Sequence, residues 1–168
     1  MNDLNLKISL EYLRHELQAI DTYYFDAEWA IFGSTSLIMR GILNREPGDI
    51  DIHLDKRVWG ALLSRPGWFV ETPKAGDPPI LSNEICPIPI HAFFDWSDEN
   101  VMMNVPKLIS DSEVIELFGD KWRVIPVLDA LAHKKFALAY GTDRVQKHVP
   151  DIEVIERWLE NNYALRLS

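Results

Sequence analysis

Apolar residues follow different spacings in different parts of this chain. After Leu6, the residues Ile8, Leu10, Leu13, Leu17 and Ile20 recur near helical spacing and predict an amphipathic first helix over residues 3–23. Residues 28–32 are apolar after Glu28 and predict a short strand. Asp49-Ile50-Asp51-Ile52-His53-Leu54 alternates polar and apolar, the period of a second strand. Between them, Ser34 is positioned to cap a helix from Thr35 to Ile42, and Pro47-Gly48 signals a turn. Residues 56–64 predict a helix halted by Arg65-Pro66-Gly67. Pro73, Gly76, Pro78 and Pro79 mark a loop or edge, residues 80–86 a strand, and residues 87–95 an extended segment whose start Pro89 weakens. Residues 112–125 read as a hairpin around Gly119-Asp120. Residues 127–140 are strongly helical, and residues 150–161 form a last helix with Pro150 in its first turn. The expected architecture is α/β (α+β): a mixed sheet with flanking helices over residues 1–126, and a short helical C-terminal region, 127–168, packed on it.

Composition narrows the picture. A chain of 168 residues with 47% hydrophobic and 26% charged residues suits a soluble globular domain with a real core. No apolar run reaches the roughly 20 residues of a membrane span, and the charged N-terminal segment does not read as a secretory signal. A membrane partner is therefore not expected. Cys86 is the only cysteine, which rules out an internal disulfide and a multi-cysteine zinc site. A reducing cytoplasm is the simplest expected location. The net charge of −9 disfavours generic nucleic-acid binding, which rests on Lys and Arg neutralising phosphates. Lys134, Lys135, Arg144 and Lys147 make one local basic segment, suited to a polyphosphate or to a solvated helix end.

The candidate chemistry lies between the two predicted strands. Gly33-Ser34 follows the first, and Asp49 comes fifteen residues after the serine. Glycine lets backbone amides approach a phosphate closely. Ser34 can cap the helix or donate its hydroxyl to a phosphate oxygen. Asp49 and Asp51 are two apart on a strand, so both project to one face, while Ile50 and Ile52 face the core. Two adjacent carboxylates repel unless a cation lies between them. Magnesium takes oxygen ligands and also binds substrate phosphates. His53 is expected to point the other way, toward the core.

The order of turn, helix, turn and paired carboxylates resembles the DNA polymerase β-type nucleotidyltransferase superfamily. The residues that carry it are Phe32-Gly33-Ser34-Thr35 and Gly48-Asp49-Ile50-Asp51-Ile52. A second stretch resembles small bacterial members of the AbiEii type, whose helix carries Asp-Leu-x-x-x-Lys, here Asp129-Ala130-Leu131-Ala132-His133-Lys134. Their later Arg-x-Lys motif is approximated by Arg144 to Ile152, with Arg144 one residue too far from Lys147. The resemblance implies a nucleotidyltransferase core that moves a nucleoside monophosphate from a nucleoside triphosphate to an acceptor hydroxyl. It implies Asp49 and Asp51 as catalytic ligands of Mg2+ (or Mn2+), and Gly33, Ser34, Lys134 and Lys147 as nucleotide-binding residues.

The superfamily adds a third carboxylate on a later strand. The matching strand here, Ile88 to Asp95, carries Pro89 and His91 where an acid is expected. The position is vacant, or Asp95 serves through a bulge, or His91 takes its place with a donor better suited to transition metals. Glu84 is a further option. Three readings remain open: a working transferase acting on a protein, a small molecule or an RNA end; a scaffold with little turnover that binds nucleotide or a protein partner; or an unrelated α/β domain in which both motifs are accidental.

Overall fold

The apolar run and the alternating segment become the two central strands of one seven-stranded sheet. The computed structural model of the chain describes residues 3–23, 28–71, 79–94, 105–140 and 145–164. The expected loop at 72–78, together with Asp95 and Arg144, lies outside the described residues. The elements run α1 (Asp3–Ala19), β1 (Trp29–Phe32), α2 (Gly33–Met39), β2 (Ile50–Leu54), α3 (Lys56–Leu63), β3 (Phe69–Glu71) and β4 (Ile80–Asn83). They continue with β5 (Ile90–Phe94), α4 (Val105–Ser110), β6 (Glu113–Leu117), β7 (Asp120–Val124), α5 (Val127–Tyr140) and α6 (Val145–Ala164). The strand order is β3-β4-β5-β2-β1-β7-β6. β2 pairs with β5, and β1 with β7, in parallel; the remaining pairs are antiparallel. The sheet is mixed, as expected.

Register puts the polar site residues on one face, alongside buried Ala30, Phe32 and His53, and a mainly apolar core on the other. Ile50, Ile52 and Leu54 are fully buried, as are their neighbours Ile31, Leu81, Ile90 and Ala92. The intervening residues fall in a row: Phe32 pairs with Asp51, Asp51 with His91, and His91 with Ser82. Phe69 pairs with Ser82, so Glu71, two residues on, shares that face. The apolar face is closed by α1, which buries Leu6, Leu10, Leu13 and Leu17. Asn83, alternating with Ser82 to the opposite face, donates to Tyr12 Oη of α1 at 2.9 Å. Glu16 of α1 accepts from Arg65 Nε at 2.6 Å and Trp68 Nε1 at 3.0 Å. Burial pushes the Glu16 carboxyl up, but these donors outweigh it and hold it below its ordinary value.

Several boundaries differ from expectation, each for a local reason. α1 ends at Ala19 rather than residue 23, because Asp21 turns left-handed (φ 55°) and the Thr22 and Tyr23 amides fold back onto Leu17 O. Ser34 does not cap α2: the helix already begins at Gly33, with Phe32 at the cap position and no side-chain cap bond. β4 stops at Asn83, whose Oδ1 accepts from the Ile85 amide and starts a turn. α6 already runs at Val145, so Pro150 sits beyond the first turn. β3 and α4 had no sequence signal. His53 is fully buried, as expected, yet it shares the face of Asp51 instead of opposing it, since the two are two residues apart on β2. Its ring stacks on Phe32 with centroids 3.7 Å apart.

Candidate active site

The β1–α2 turn and the start of β2 meet at Gly33. This glycine has φ +67°, a left-handed conformation costly for other residues. It is also pressed by Asp51: a Cβ placed on Gly33 would lie 2.5 Å from Asp51 Oδ2. The turn and the carboxylate therefore touch only because position 33 has no side chain. Thr35 Oγ1 donates to the backbone carbonyl of Asp49 at 2.6 Å, tying α2 to the entry of β2. Asp49, Asp51 and His91 each offer a donor atom, and these atoms lie within 4.8 Å of one another. All three side chains are half-buried. Two carboxylates and an imidazole at that separation fit a divalent cation by the chemistry of the donor set. His91 Nδ1 is 3.9 Å from Asp51 Oδ1, and Nε2 is 3.8 Å from Glu71 Oε1.

A second cluster lies beneath the turn. Ser34 Oγ accepts from Arg45 Nη2 at 2.8 Å and from Lys134 Nζ at 3.0 Å. Asp151 of α6 accepts from the same two cations, at 2.8 Å from Arg45 and 2.7 Å from Lys134. Lys134 is 3% exposed, so its charge is sustained by Asp151 rather than by water. Burial is the largest influence on Lys134 and lowers its pKa, against the pull of Asp151. Burial pushes Asp151 up, but Arg45 and Lys134 outweigh it and hold its carboxyl below the ordinary value. A hydroxyl that accepts twice still has one O–H to give. Ser34 can therefore present a donor backed by two cations.

No protein-family model matches the sequence, and no curated protein does. Solved structures do match. ANT(2'')-Ia in complex with adenylyl-2''-tobramycin is 14% identical and covers 96% of this chain and 94% of its own, with a TM-score of 0.59. An antigenic nucleotidyltransferase-like protein from Paracoccidioides brasiliensis is 16% identical over 90% of this chain and 74% of its own, at 0.56. A Thermotoga maritima protein assigned to the nucleotidyltransferases is 18% identical over 91% and 93%, at 0.52. The fold is that of the nucleotidyltransferases. At these identities the likeness speaks for fold alone.

Within this nucleotidyltransferase fold, Gly33, Ser34, Asp49 and Asp51 converge at one turn. Lys134 reaches Ser34 from α5, and Lys147 is exposed on α6. Asp95 falls outside the described residues. Three participants carried no usable sequence signal. Arg45 sits in an irregular α2–β2 connection. Glu71 ends a three-residue strand, and Ser82 lies in a strand without clear alternation. Asp151 stood at the end of the weak second motif, which could have suggested it as the partner of Lys134.

Proposed function

We propose that the chain is a metal-dependent nucleotidyltransferase that passes a nucleoside monophosphate from a nucleoside triphosphate to an acceptor hydroxyl, releasing pyrophosphate. The observation that carries this reading is the contact of the Asp51 carboxylate with the Gly33 turn, in a chain with this fold. Asp49 and Asp51, with His91 beside them, would hold a divalent cation. Such a cation neutralises phosphate charge and stabilises the oxygens of an in-line displacement. The Gly33 turn lets the triphosphate approach the backbone. Ser34 donates its remaining O–H to a phosphate oxygen, and Lys134 and Arg45 polarise that hydroxyl from below. Lys147 is exposed and adds positive charge on α6. Phosphoryl chemistry of this kind needs positioning and charge more than covalent help.

For the acceptor we favour a small molecule. ANT(2'')-Ia was crystallised with an adenylylated small molecule, and it and this chain cover nearly all of each other. A net charge of −9 steers cationic acceptors inward and repels long nucleic acids. A second reading has its own motive: His91 stands at the register partner of Asp51, where a third carboxylate would activate the acceptor. In that reading the protein binds nucleotide and turns it over slowly or not at all.

Incubation with each α-labelled triphosphate, a divalent ion and a cell-extract small-molecule fraction tests the first reading. Label should move to an acceptor, and Asp49→Asn with Asp51→Asn should stop it while the fold persists. Nucleotide-dependent thermal stabilisation without transfer supports the second reading. Neither stabilisation nor transfer with any triphosphate ends both.

A further inference from the structure

Four polar residues cross the sheet on the face of the candidate site: Glu71, Ser82, His91 and Asp51, on β3, β4, β5 and β2. The middle of this row is an imidazole between two carboxylates. Nδ1 of His91 is 3.9 Å from Asp51 Oδ1, and Nε2 is 3.8 Å from Glu71 Oε1. Glu71 is itself fixed, because the fully buried Ser82 donates its hydroxyl to the same Oε1. Both ring nitrogens face a carboxylate at ion-pair distance, and it is the Asp51 side that belongs to the metal cluster, so a bound cation would take Nδ1 and leave the proton on Nε2. With the proton on Nε2, facing Glu71, the Nδ1 lone pair faces Asp51 and Asp49. Histidines that ligate metals commonly turn the second nitrogen toward a carboxylate that raises ligand basicity, and Glu71, 3.8 Å from Nε2, stands where it can take that part.

We propose that His91, oriented by Glu71, is the third ligand of the candidate metal site and makes it selective for a first-row transition cation such as Mn2+ over Mg2+. The inference rests on the reading of Asp49 and Asp51 as metal ligands and deepens it. Magnesium prefers hard oxygen donors and near-ideal octahedral geometry, so replacing an oxygen donor by imidazole weakens it. Imidazole affinity rises along the first row from Mn2+ to Cu2+, so the same replacement favours these ions over Mg2+, Mn2+ least among them. Glu71 strengthens the bias: its negative charge beside Nε2 makes Nδ1 the better donor. Glu71 is a positioning residue here, since the metal cluster is formed by Asp49, Asp51 and His91. The departure from three carboxylates is then a change of metal preference, with the donor count kept.

The test uses the full chain, stripped with chelator and titrated with Mn2+ alone, then with Mg2+ as competitor. Free Mn2+ is followed by electron paramagnetic resonance, and the bound ion by pulsed measurements of nitrogen hyperfine coupling. The expected result is a nitrogen coupling in the wild type that His91→Asp removes. The same variant should lower the preference for Mn2+ over Mg2+ about tenfold or more, since it restores a third hard oxygen donor. Glu71→Gln should weaken Mn2+ about 10–100-fold and shift the coupling, as loss of an outer carboxylate does at histidine-ligated metals. A merely structural Glu71 would leave that spectrum unchanged. Mn2+ that binds through Asp51, as judged by loss in Asp51→Asn, but shows no nitrogen coupling overturns this inference and leaves the carboxylate reading standing. Absence of any divalent-ion binding, with or without a triphosphate present, overturns both.

Discussion

Acid sensitivity of the core should trace to one side chain. His53 is fully buried on β2, stacked on Phe32, and neither ring nitrogen has a hydrogen-bond partner among the described residues. Burial, with a smaller push from His133, lowers its pKa from 6.5 to about 3. The folded chain keeps the ring neutral where the unfolded chain would protonate it. Because the folded value is depressed, this stability is complete above the unfolded value of 6.5 and is lost progressively as pH falls toward about 3. At pH ~4.5, two units below the unfolded value, the loss is about 3 kcal/mol. That is a large share of a stability of roughly 5–15 kcal/mol. Glu16 and Asp151, whose carboxyls are held below 4.5 and 3.8, begin to lose their stabilisation only at the bottom of this range, and the His53→Leu comparison subtracts that part. Urea unfolding at pH ~7, ~5.5 and ~4.5, in chelator so that no bound metal intervenes, reads the slope directly. His53→Leu, which removes both buried nitrogens at similar volume, should lose less than about 1 kcal/mol over the same range. If both proteins show the same pH slope, the ring is not held neutral in the folded chain and the reasoning fails.

Asp151→Asn should cost about 3–5 kcal/mol in urea unfolding, because it strands the buried charge of Lys134. Lys134 would then shed its proton more readily, so the variant should regain stability as pH rises toward 10.5, the lysine's ordinary value; a flat profile would argue against a buried cation. Gly33→Ala should lose about 1–2 kcal/mol from left-handed strain and displace Asp51. Divalent-ion stabilisation should vanish from its melting curve, and an unchanged metal response would show that the two residues do not touch. Burial pushes the Cys86 thiol up to about 11 from 9.0. Alkylation at pH ~8 should be about 100-fold slower than for an ordinary thiol, following its smaller thiolate fraction; labelling at the rate of a free thiol contradicts the burial.

Much of this fold is written in local pattern. The β2 alternation separates Asp51 from Ile50 and Ile52 without any tertiary knowledge, and the Gly33 turn announces itself by composition. The parity of His53 was available too: a residue two positions past Asp51 must share its face, and the expectation that it opposed the aspartates ignored that rule. What local pattern cannot give is register between distant strands. That His91 falls opposite Asp51 follows from the β2–β5 pairing, made across 40 positions, and Glu71 reaches the same face through β3–β4 and β4–β5 pairings whose connecting loops carry no turn signal that fixes register. The salt-linked cluster is hidden for the same reason. Arg45 and Asp151 are 106 positions apart, and no periodicity connects them.

The two clusters also explain one another electrostatically. Asp151 balances one of the two cations under Ser34, leaving a single net positive charge below the turn. Asp49 and Asp51 place two negative charges above it. A triphosphate arriving alone would meet a donor hydroxyl on one side and repelling carboxylates on the other. A divalent ion arriving alone would gain the carboxylates but have no phosphate oxygens to complete its shell. The proposed site is thus built so that metal and nucleotide each supply what the other lacks. The residue that sets this balance is Gly33, because a side chain there would separate the acids from the turn.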